Sequence, residues 1–325
     1  MTLKRLAILD DYLHLALKSA DWSALQARCQ IDVIDRKLLV PDEAAEVLRP
    51  YNILCHLRER LPMPRALLER LPNLEFMTVT GLKHRTLDLA CALERGVQVS
   101  HVSAGNPGSR ATPEMAWGLI LATARHIALE DRRMRQGVWQ STTGVLLDGK
   151  TLGLLGLGRV GQIMAGIGRA FGMNVIAWSP NLTAEAAAAH GVTRVDKQDL
   201  FRQADVLSVH VVLSERSHHL VGAPELALMK PRALLVNTSR GAIVDETALV
   251  AALQAGRIGG AGLDVFEHEP LGADHPLCAL DNVVLTPHLG YATSETFERF
   301  YRATVKGVTD YLDGRPTNLA SNGAT

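Results

Sequence analysis

The stretch TLGLLGLGRVGQIMAGIGRAFG, residues 151–172, decides the fold. Its first five residues form an apolar run typical of a buried strand, three glycines follow at the spacing GxGxxG, and a helical apolar pattern then runs to Gly172. The first glycine permits a tight turn, the second lets a pyrophosphate approach the backbone, and the third permits close packing of helix on strand. Backbone N–H groups at the start of the helix would bind the phosphates. The pattern predicts a dinucleotide-binding loop made of Gly156, Gly158, Arg159, Val160 and Gly161.

Strands and helices alternate on both sides of this stretch. Apolar runs predict strands at 5–9, 31–34, 52–55, 75–79, 97–100, 152–155, 174–178, 206–211, 233–237, 260–265 and 283–286. Because these runs are nearly continuous and helices lie between them, we expect parallel sheets covered on both faces. The sequence predicts an α/β fold with two doubly wound parallel-sheet domains. One, flavodoxin-like, would comprise 1–101 plus 290–325, and the other, a Rossmann domain, 102–289.

A helix between the two strand sets has an unusual composition. Thr112 could cap it, Pro113 suits its first turn, and we expect it to continue to Gln136. Its early part is apolar almost all round, which burial on one side would not require. The sequence leaves two interpretations open: a core helix between the domains, or a contact in a homodimer.

Composition excludes several classes of function. The 325 residues include 34 Lys+Arg and 34 Asp+Glu, so a basic surface for nucleic acid or an anionic membrane is not expected. The apolar segment around 115–124 is about half the roughly 20 residues that a membrane span needs. The four cysteines lie far apart without a CxxC motif, which predicts neither a metal site nor a disulfide framework. We therefore expect a cytoplasmic protein whose partner is a small molecule.

The end of the second strand in the Rossmann pattern bears on cofactor choice. An acid there would bind the ribose hydroxyls of NAD, but Trp178 is followed by Ser179, Pro180 and Asn181. No arginine lies among the next few residues to bind a 2′-phosphate. The sequence therefore leaves the choice between NAD and NADP open.

Three segments near predicted strand ends carry polar side chains: NTSRG at 237–241, LDVFEHEP at 263–270 and LTPHLG at 285–290. Ligands bind beyond the carboxyl ends of strands in an open parallel sheet, so the three could converge. From about Leu48 to the end, the ordered series of these motifs after GLGRVG resembles the D-isomer-specific 2-hydroxyacid dehydrogenase family. The resemblance implies an NAD(P)-dependent oxidoreductase that transfers a hydride between nicotinamide and carbon two of a D-2-hydroxyacid or 2-oxoacid.

The resemblance also implies roles for individual residues. Arg240, Glu269 and His288 match the family's catalytic arginine, acid and histidine, and Asp264 matches an acid near the nicotinamide amide. We expect further cofactor contacts from Thr112, Ser179 and Thr238. An arginine fork suits a carboxylate, and a histidine can exchange a proton near neutral pH. Glu267 competes with Glu269 as the partner of His288, and only the match to the acid before proline favours Glu269.

The substrate side is less regular. The family usually has a glycine-rich loop for the substrate carboxylate where this chain has Gly81, Leu82 and Lys83, so the second glycine is replaced by lysine. Arg58 is a further candidate for substrate binding, as is Arg240 together with His288. If Lys83 and Arg58 face the substrate, it would carry a second anionic or polar group.

Other functions remain open at this point. One alternative is a nucleotide-sensing binding protein like the corepressor relatives of this family, which also keep catalytic residues. Another is a phosphoglycerate-type dehydrogenase without a regulatory domain. A formate dehydrogenase is disfavoured, because Glu269 suits carbonyl protonation better than formate oxidation.

Overall fold

The computed structural model describes residues 3–81, 84, 86–102 and 110–321. These residues form two compact units, one within Met1–Gly108 and Thr293–Thr325, here called unit 1, and one within Ser109–Ala292, here called unit 2. Leu82 and Lys83, two of the residues expected to bind substrate, lie outside the described residues.

The elements follow one another along the chain as alternating strands and helices. The strands are β1 (Lys4–Leu9), β2 (Cys29–Ile34), β3 (Ile53–His56), β4 (Phe76–Thr80), β5 (Gln98–Val102), β6 (Thr151–Leu155), β7 (Asn174–Trp178), β8 (Thr193–Arg194), β9 (Val206–Val209), β10 (Leu234–Asn237), β11 (Gly260–Leu263) and β12 (Val283–Leu285). The helices are α1 (Ala16–Ser19), α2 (Ser23–Gln26), α3 (Pro41–Leu48), α4 (Arg65–Leu68), α5 (Leu89–Glu94), α6 (Ala111–Ala124), α7 (Ile127–Arg135), α8 (Arg159–Ala170), α9 (Ala184–Ala188), α10 (Lys197–Gln203), α11 (Ala223–Leu228), α12 (Glu246–Gln254) and α13 (Ser294–Leu312).

Unit 1 is built on a parallel sheet in the order β2-β1-β3-β4-β5. This is the order of flavodoxin-like folds, as the sequence predicted. The last helix, α13, packs on β4 and β5, where Tyr311 stacks on Phe76 with ring centroids 4.2 Å apart. Tyr311 also donates a hydrogen bond to Glu75 (2.7 Å), so α13 is joined to this sheet by both apolar and polar contacts.

Unit 2 is built on a second parallel sheet, in the order β12-β11-β10-β9-β6-β7-β8. The strands β8-β7-β6-β9-β10-β11 follow the Rossmann order 3-2-1-4-5-6, and β12 is added beyond β11. The buried strands β6, β9 and β10 are apolar on both faces because helices cover both sides of the sheet. The edge strand β8 was not predicted, since its two residues are exposed and lack an apolar run.

The prediction of one long helix over 112–136 is wrong in two respects. The structure has two helices, α6 and α7, and His126 between them adopts a left-handed backbone (φ +53°). The helix begins at Ala111, so Thr112 does not cap it. Helix α6 packs against β10, β11 and α8 within unit 2, which explains why it is apolar almost all round.

Within the described ranges, none of the helices combines the length and the apolar character needed to cross a lipid bilayer.

Candidate active site

The glycine loop joins β6 to α8 and has the geometry that a dinucleotide requires. Gly156 has φ +104°, and a Cβ on it would lie 2.8 Å from the carbonyl oxygen of His210. A Cβ on Gly161 would lie 2.3 Å from the carbonyl oxygen of Gly156, so this position also needs glycine. By contrast, a Cβ on Gly158 would meet no protein atom within 4 Å. The backbone before α8 therefore faces open space, where a pyrophosphate could reach the N–H groups of the helix.

The end of β7 carries no charged side chain. Ser179 follows Trp178 directly and accepts a backbone hydrogen bond from Leu182 (3.1 Å). On the neighbouring strand β8, Arg194 is paired with Ala177 of β7, and its guanidinium donates a hydrogen bond to Asp196 (3.2 Å). Ser179 therefore directly follows β7 and brings neither a carboxylate nor a guanidinium to the end of this strand.

The turn after β10 presents Arg240. The buried side chain of Asn237 accepts a hydrogen bond from the Ser239 amide (3.0 Å) and donates one to the Arg240 carbonyl (2.9 Å). Gly241 must follow, because a Cβ there would lie 1.9 Å from the Phe266 carbonyl carbon. Next to this turn, the hydroxyl of Thr238 is buried and has no hydrogen-bond partner in the described protein. Such a hydroxyl fits the expected contact with a cofactor.

Asp264 fixes the loop that carries His288. Its carboxylate is fully buried and accepts hydrogen bonds from the Thr286 hydroxyl (2.6 Å) and from the amides of Leu289 and Gly290 (2.7 Å each). Burial raises the pKa of Asp264, although these three donors and the charge of His288 oppose that shift. Thr112 adds a hydrogen bond to the Gly290 carbonyl (3.0 Å). Both Asp264 and Thr112, expected at the cofactor, are thus engaged with the loop 286–290.

His288 and Glu269 form a close pair. The distance between His288 Nδ1 and Glu269 Oε2 is 2.7 Å, and the other carboxylate oxygen accepts a hydrogen bond from the Phe266 amide (3.1 Å). Because a carboxylate only accepts, Nδ1 carries the proton in this pair and Nε2 is left for a ligand. Burial raises the pKa of Glu269, but the hydrogen bond and charge of His288, the Phe266 amide and the charge of Arg240 outweigh it, so the pKa lies below its usual value.

The geometry distinguishes the two acids of the EHEP segment. Glu269 contacts His288, whereas Glu267 contacts His219 through its carboxylate and the histidine Nε2. Local spacing alone could not separate them, because both acids lie in one four-residue segment, and only the match to the acid before proline favoured Glu269.

The catalytic candidates lie beyond the carboxyl ends of three strands of the unit 2 sheet. Arg240, Glu269 and His288 follow β10, β11 and β12, which are neighbours in the sheet. The positive charge of Arg240 is one of the causes that lower the pKa of Glu269. A guanidinium, an imidazole and a carboxylate can together bind an oxoacid and exchange one proton with its carbonyl.

Two substrate candidates are described in unit 1. Arg58 adopts a left-handed backbone (φ +60°), and its amide donates to the Thr80 hydroxyl (2.7 Å). Its guanidinium lies over Gly81, where a Cβ would be 2.6 Å from Nη1. Gly81 therefore permits this arginine to pack on the backbone at the end of β4.

Sequence reasoning missed two residues that position the site, Asn237 and Thr286. Both lie inside motifs that had been singled out, directly before Thr238 and before Pro287. The signal that could have found them is a buried polar residue at the end of an apolar strand, since such a group needs a hydrogen-bond partner.

Among the residues that the structure describes, His, Cys, Asp and Glu side chains form no group of three or more that could hold a metal ion.

Comparison with known proteins agrees with the motifs and the fold. The family model of the D-isomer specific 2-hydroxyacid dehydrogenase NAD binding domain matches residues 117–290. The glyoxylate reductase of Aeropyrum pernix is 42% identical over 267 residues, covering 78% of this chain and 78% of that protein. The D-3-phosphoglycerate dehydrogenase of Methanocaldococcus jannaschii is 38% identical over 260 residues, which cover 79% of this chain and 49% of that protein.

A solved structure gives the same result for the fold. The crystal structure of phosphoglycerate oxidoreductase from Vibrio cholerae O395 has a TM-score of 0.89 at 34% identity, covering 96% of this chain and all of that chain (100%). The sequence motifs, both sheet orders and these matches point the same way, and the chain belongs to the D-isomer-specific 2-hydroxyacid dehydrogenase family.

Proposed function

We propose that the chain reduces small 2-oxoacids to D-2-hydroxyacids, and runs the reverse reaction, with Arg240, Glu269 and His288 as its catalytic residues. The observation that carries this proposal is the His288–Glu269 pair (2.7 Å), which lies in the same unit as Arg240 and the glycine loop. Each group matches one need of the reaction: an anchor for the carboxylate, a proton for the carbonyl oxygen and a charge that orients the imidazole.

The nicotinamide, when bound, supplies or accepts the hydride at carbon two of the substrate. Arg240 binds the substrate carboxylate with its planar fork and polarises the carbonyl. His288 donates the proton from Nε2 to the carbonyl oxygen in reduction, and takes it back in oxidation. Glu269, hydrogen-bonded to Nδ1, fixes the ring orientation and stabilises the charged imidazole.

The expected cofactor contacts divide into three groups. Gly156, Gly158, Arg159, Val160 and Gly161 would hold the pyrophosphate at the start of α8. Ser179 would contact the adenosine ribose, and Thr238 would contact the cofactor through its unpartnered hydroxyl. Thr112 and Asp264 support the site from the loop 286–290.

We infer that the enzyme accepts both NADH and NADPH. A carboxylate after β7 would repel a 2′-phosphate and an arginine would bind it, and Ser179, Pro180 and Asn181 provide neither. The expected preference in kcat/KM is less than about tenfold, which corresponds to about 1.4 kcal/mol. A preference above about 100-fold would contradict this inference.

The substrate class is that of small 2-oxoacids, for which relatives named glyoxylate reductase and hydroxypyruvate reductase provide support. We also propose that Arg58 and Gly81, with Leu82 and Lys83, contact the substrate. The charges of Arg58 and Lys83 favour an oxoacid with a second polar or anionic group.

The test is a panel of 2-oxoacids assayed by oxidation of NADH and of NADPH. It should contain glyoxylate, pyruvate, hydroxypyruvate, a larger oxodiacid and a phosphorylated oxoacid. Turnover of a 2-oxoacid is expected, with the products in the D configuration. Turnover of the phosphorylated oxoacid alone would identify the phosphoglycerate-type reaction, for which the relative in Methanocaldococcus jannaschii is named. Dinucleotide binding with no turnover of any oxoacid would favour a nucleotide sensor instead.

We propose that the chain forms a homodimer through α7 and the segment after it. Four apolar side chains are exposed there: Ile127 (53%), Met134 (63%), Val138 (44%) and Trp139 (79%). They line one groove together with Arg125, Glu130, Asp131 and Gln140. Because this segment carries apolar residues and both signs of charge, a second copy related by a twofold axis would be complementary to it.

We propose a cytoplasmic location, which the state of the cysteines supports. Cys29, Cys55 and Cys91 are buried free thiols and Cys278 is an exposed one. Burial raises the pKa of Cys55 to about 12, so this thiol is unreactive. Fractionation of the native cells should recover the activity with the cytosol.

A further inference from the structure

A second histidine–glutamate pair lies beside the catalytic candidates. His219, in the loop after β9, contacts the Glu267 carboxylate, in the loop after β11, through its Nε2. In the sheet, β10 lies between β9 and β11. The pair therefore connects the two loops on either side of the turn that carries Arg240.

Glu267 is held by its backbone as well as by its side chain. Its amide donates to Glu246 Oε2 (3.2 Å), and the other oxygen of Glu246 lies 3.3 Å from His275 Nε2. His275 Nδ1 accepts a hydrogen bond from the Leu277 amide (3.3 Å), so Nε2 carries the ring proton on the side of Glu246. Glu269 lies only two residues beyond this anchored point.

His219 is fixed to the opposite side of the same turn. Its amide donates to the Ala242 carbonyl (2.8 Å), and its backbone is left-handed (φ +49°). Gly241 packs directly against the peptide between Phe266 and Glu267. The turn 240–243 is thus hydrogen-bonded to the His219 loop and packs against the Glu267 loop. The His219–Glu267 pair joins these two loops.

We propose that His219 and Glu267 are positioning residues that hold Glu269 on His288 and fix the turn that carries Arg240. This inference rests on the proposed function of that catalytic set. The contacts of the His288 imidazole are with Glu269 and Tyr291. His219 and Glu267 therefore act on it indirectly, through the loops that they join. An exposed ion pair without a positioning role would contribute little to stability, and its loss should leave kcat unchanged. A positioning pair and an ordinary surface pair therefore predict different results on substitution.

The chain offers a matched control for this pair. Lys230 contacts Asp205 (2.8 Å) with side-chain exposures of 41% and 25%, compared with 39% and 24% for His219 and Glu267. Asp205 also accepts the Thr151 amide (2.8 Å), at the start of β6. The control pair is therefore in the same unit, at the amino ends of the strands, whereas the catalytic candidates follow the carboxyl ends.

The experiment compares Glu267→Gln, His219→Gln, the double variant and Lys230→Gln in the full chain. Each of the two single variants at the pair should lower kcat about tenfold or more, because a misplacement of about 1 Å at a catalytic group can cost on the order of 100-fold. The double variant should lose no more than either single one, since both remove the same contact. KM for the dinucleotide should stay within about twofold, because the glycine loop is unaffected. Lys230→Gln should stay within about twofold of the wild type in every parameter.

A readout independent of turnover accompanies the kinetics. In a crystal structure of Glu267→Gln or His219→Gln, the distance from Glu269 Oε2 to His288 Nδ1 should exceed about 3.5 Å, beyond hydrogen-bond range. A distance still near the present 2.7 Å, or a kcat that changes no more than in Lys230→Gln, would overturn the positioning role. If the wild type reduces no 2-oxoacid, the proposed function fails, and the crystallographic distance still decides whether the pair positions Glu269.

Discussion

His288 has a left-handed backbone (φ +56°), which a residue with a side chain adopts only at a cost in free energy. Its amide donates to the carbonyls of Asp264 (2.8 Å) and Thr286 (3.0 Å). The Asp264 carboxylate binds the next two amides, those of Leu289 and Gly290. These contacts fix the backbone at His288, and the contact of Nδ1 with Glu269 orients its imidazole.

The role of His288 is tested by His288→Gln. If Nε2 exchanges the proton with the substrate, kcat should fall about 100- to 10,000-fold, as expected for loss of a general acid–base group. The control is His14→Gln, which changes an exposed histidine that lies 3.6 Å from Asp35. Steady-state kinetics at saturating dinucleotide provide the measurement, and a His288→Gln enzyme of nearly full activity would refute the assignment.

The lowered pKa of Glu269 predicts a pH-dependent contribution to stability. Its folded-state pKa lies below the unfolded value of 4.5, so the contribution is fully present above about pH 4.5 and is lost as the pH falls through the folded-state pKa. The difference in unfolding free energy between wild type and Glu269→Gln should therefore be larger at about pH 7 than at about pH 3. Urea denaturation at both pH values measures it, and an equal difference would show that the carboxylate is not stabilised in the fold.

At the scale of elements, the turn Gly241–Ile243 shows how a glycine permits a close contact between two loops. The backbone at Gly241 touches the Phe266–Glu267 peptide, which brings the Arg240 turn against the segment carrying Glu269. The NTSRG motif could be recognised from the sequence, but this contact joins positions far apart in the chain. No local pattern encodes which loop lies against the turn.

Gly241→Ala should therefore affect both stability and activity. The added Cβ would lie 1.9 Å from the Phe266 carbonyl carbon, so one loop must move, at a cost of about 1–3 kcal/mol or more in unfolding free energy. The matched control is Gly166→Ala in α8, where a Cβ meets no atom within 4 Å and helix propensity improves stability by roughly 0.5–1 kcal/mol. Chemical denaturation and kcat of both variants are the measurements. A Gly241→Ala protein as stable and active as the control would contradict the contact.

Most elements of both sheets were predicted from apolar runs, because a strand covered on both faces needs such a run. The exceptions have physical reasons. Strand β8 is short and exposed, and the helix expected over 112–136 breaks at His126 without a glycine or proline to indicate it. Tertiary packing selects the left-handed backbone of His126 (φ +53°), and a histidine within a helical pattern does not by itself indicate a break.

At the scale of the whole molecule, this NAD(P)-dependent 2-hydroxyacid dehydrogenase has two parallel sheets of different order. The predicted fold class, family and type of reaction are confirmed by the sheet orders and by the relatives. In unit 2, the glycine loop and the catalytic candidates all follow strands at their carboxyl ends, where doubly wound sheets bind ligands.

The proposed homodimer is tested by Trp139→Glu. Burial of a tryptophan at an interface commonly contributes about 2 kcal/mol or more, so the charge should weaken association by at least about 30-fold. Leu39→Glu, at an exposed leucine (69%) in unit 1, serves as the control and should leave the dimer intact. Analytical ultracentrifugation across micromolar concentrations measures both, and a wild type that sediments only as a monomer would exclude the dimer.

The sequence by itself determined the alternation of strands and helices, the glycine loop and the chemical identity of the candidate catalytic residues. These features are local: they depend on the spacing of neighbouring residues and on side-chain type. The tertiary structure decided that Glu269 rather than Glu267 meets His288, and that Asp264 is buried under the loop of His288. Such pairings depend on where distant segments pack together, whereas the local sequence favoured Glu269 only through its match to the acid before proline.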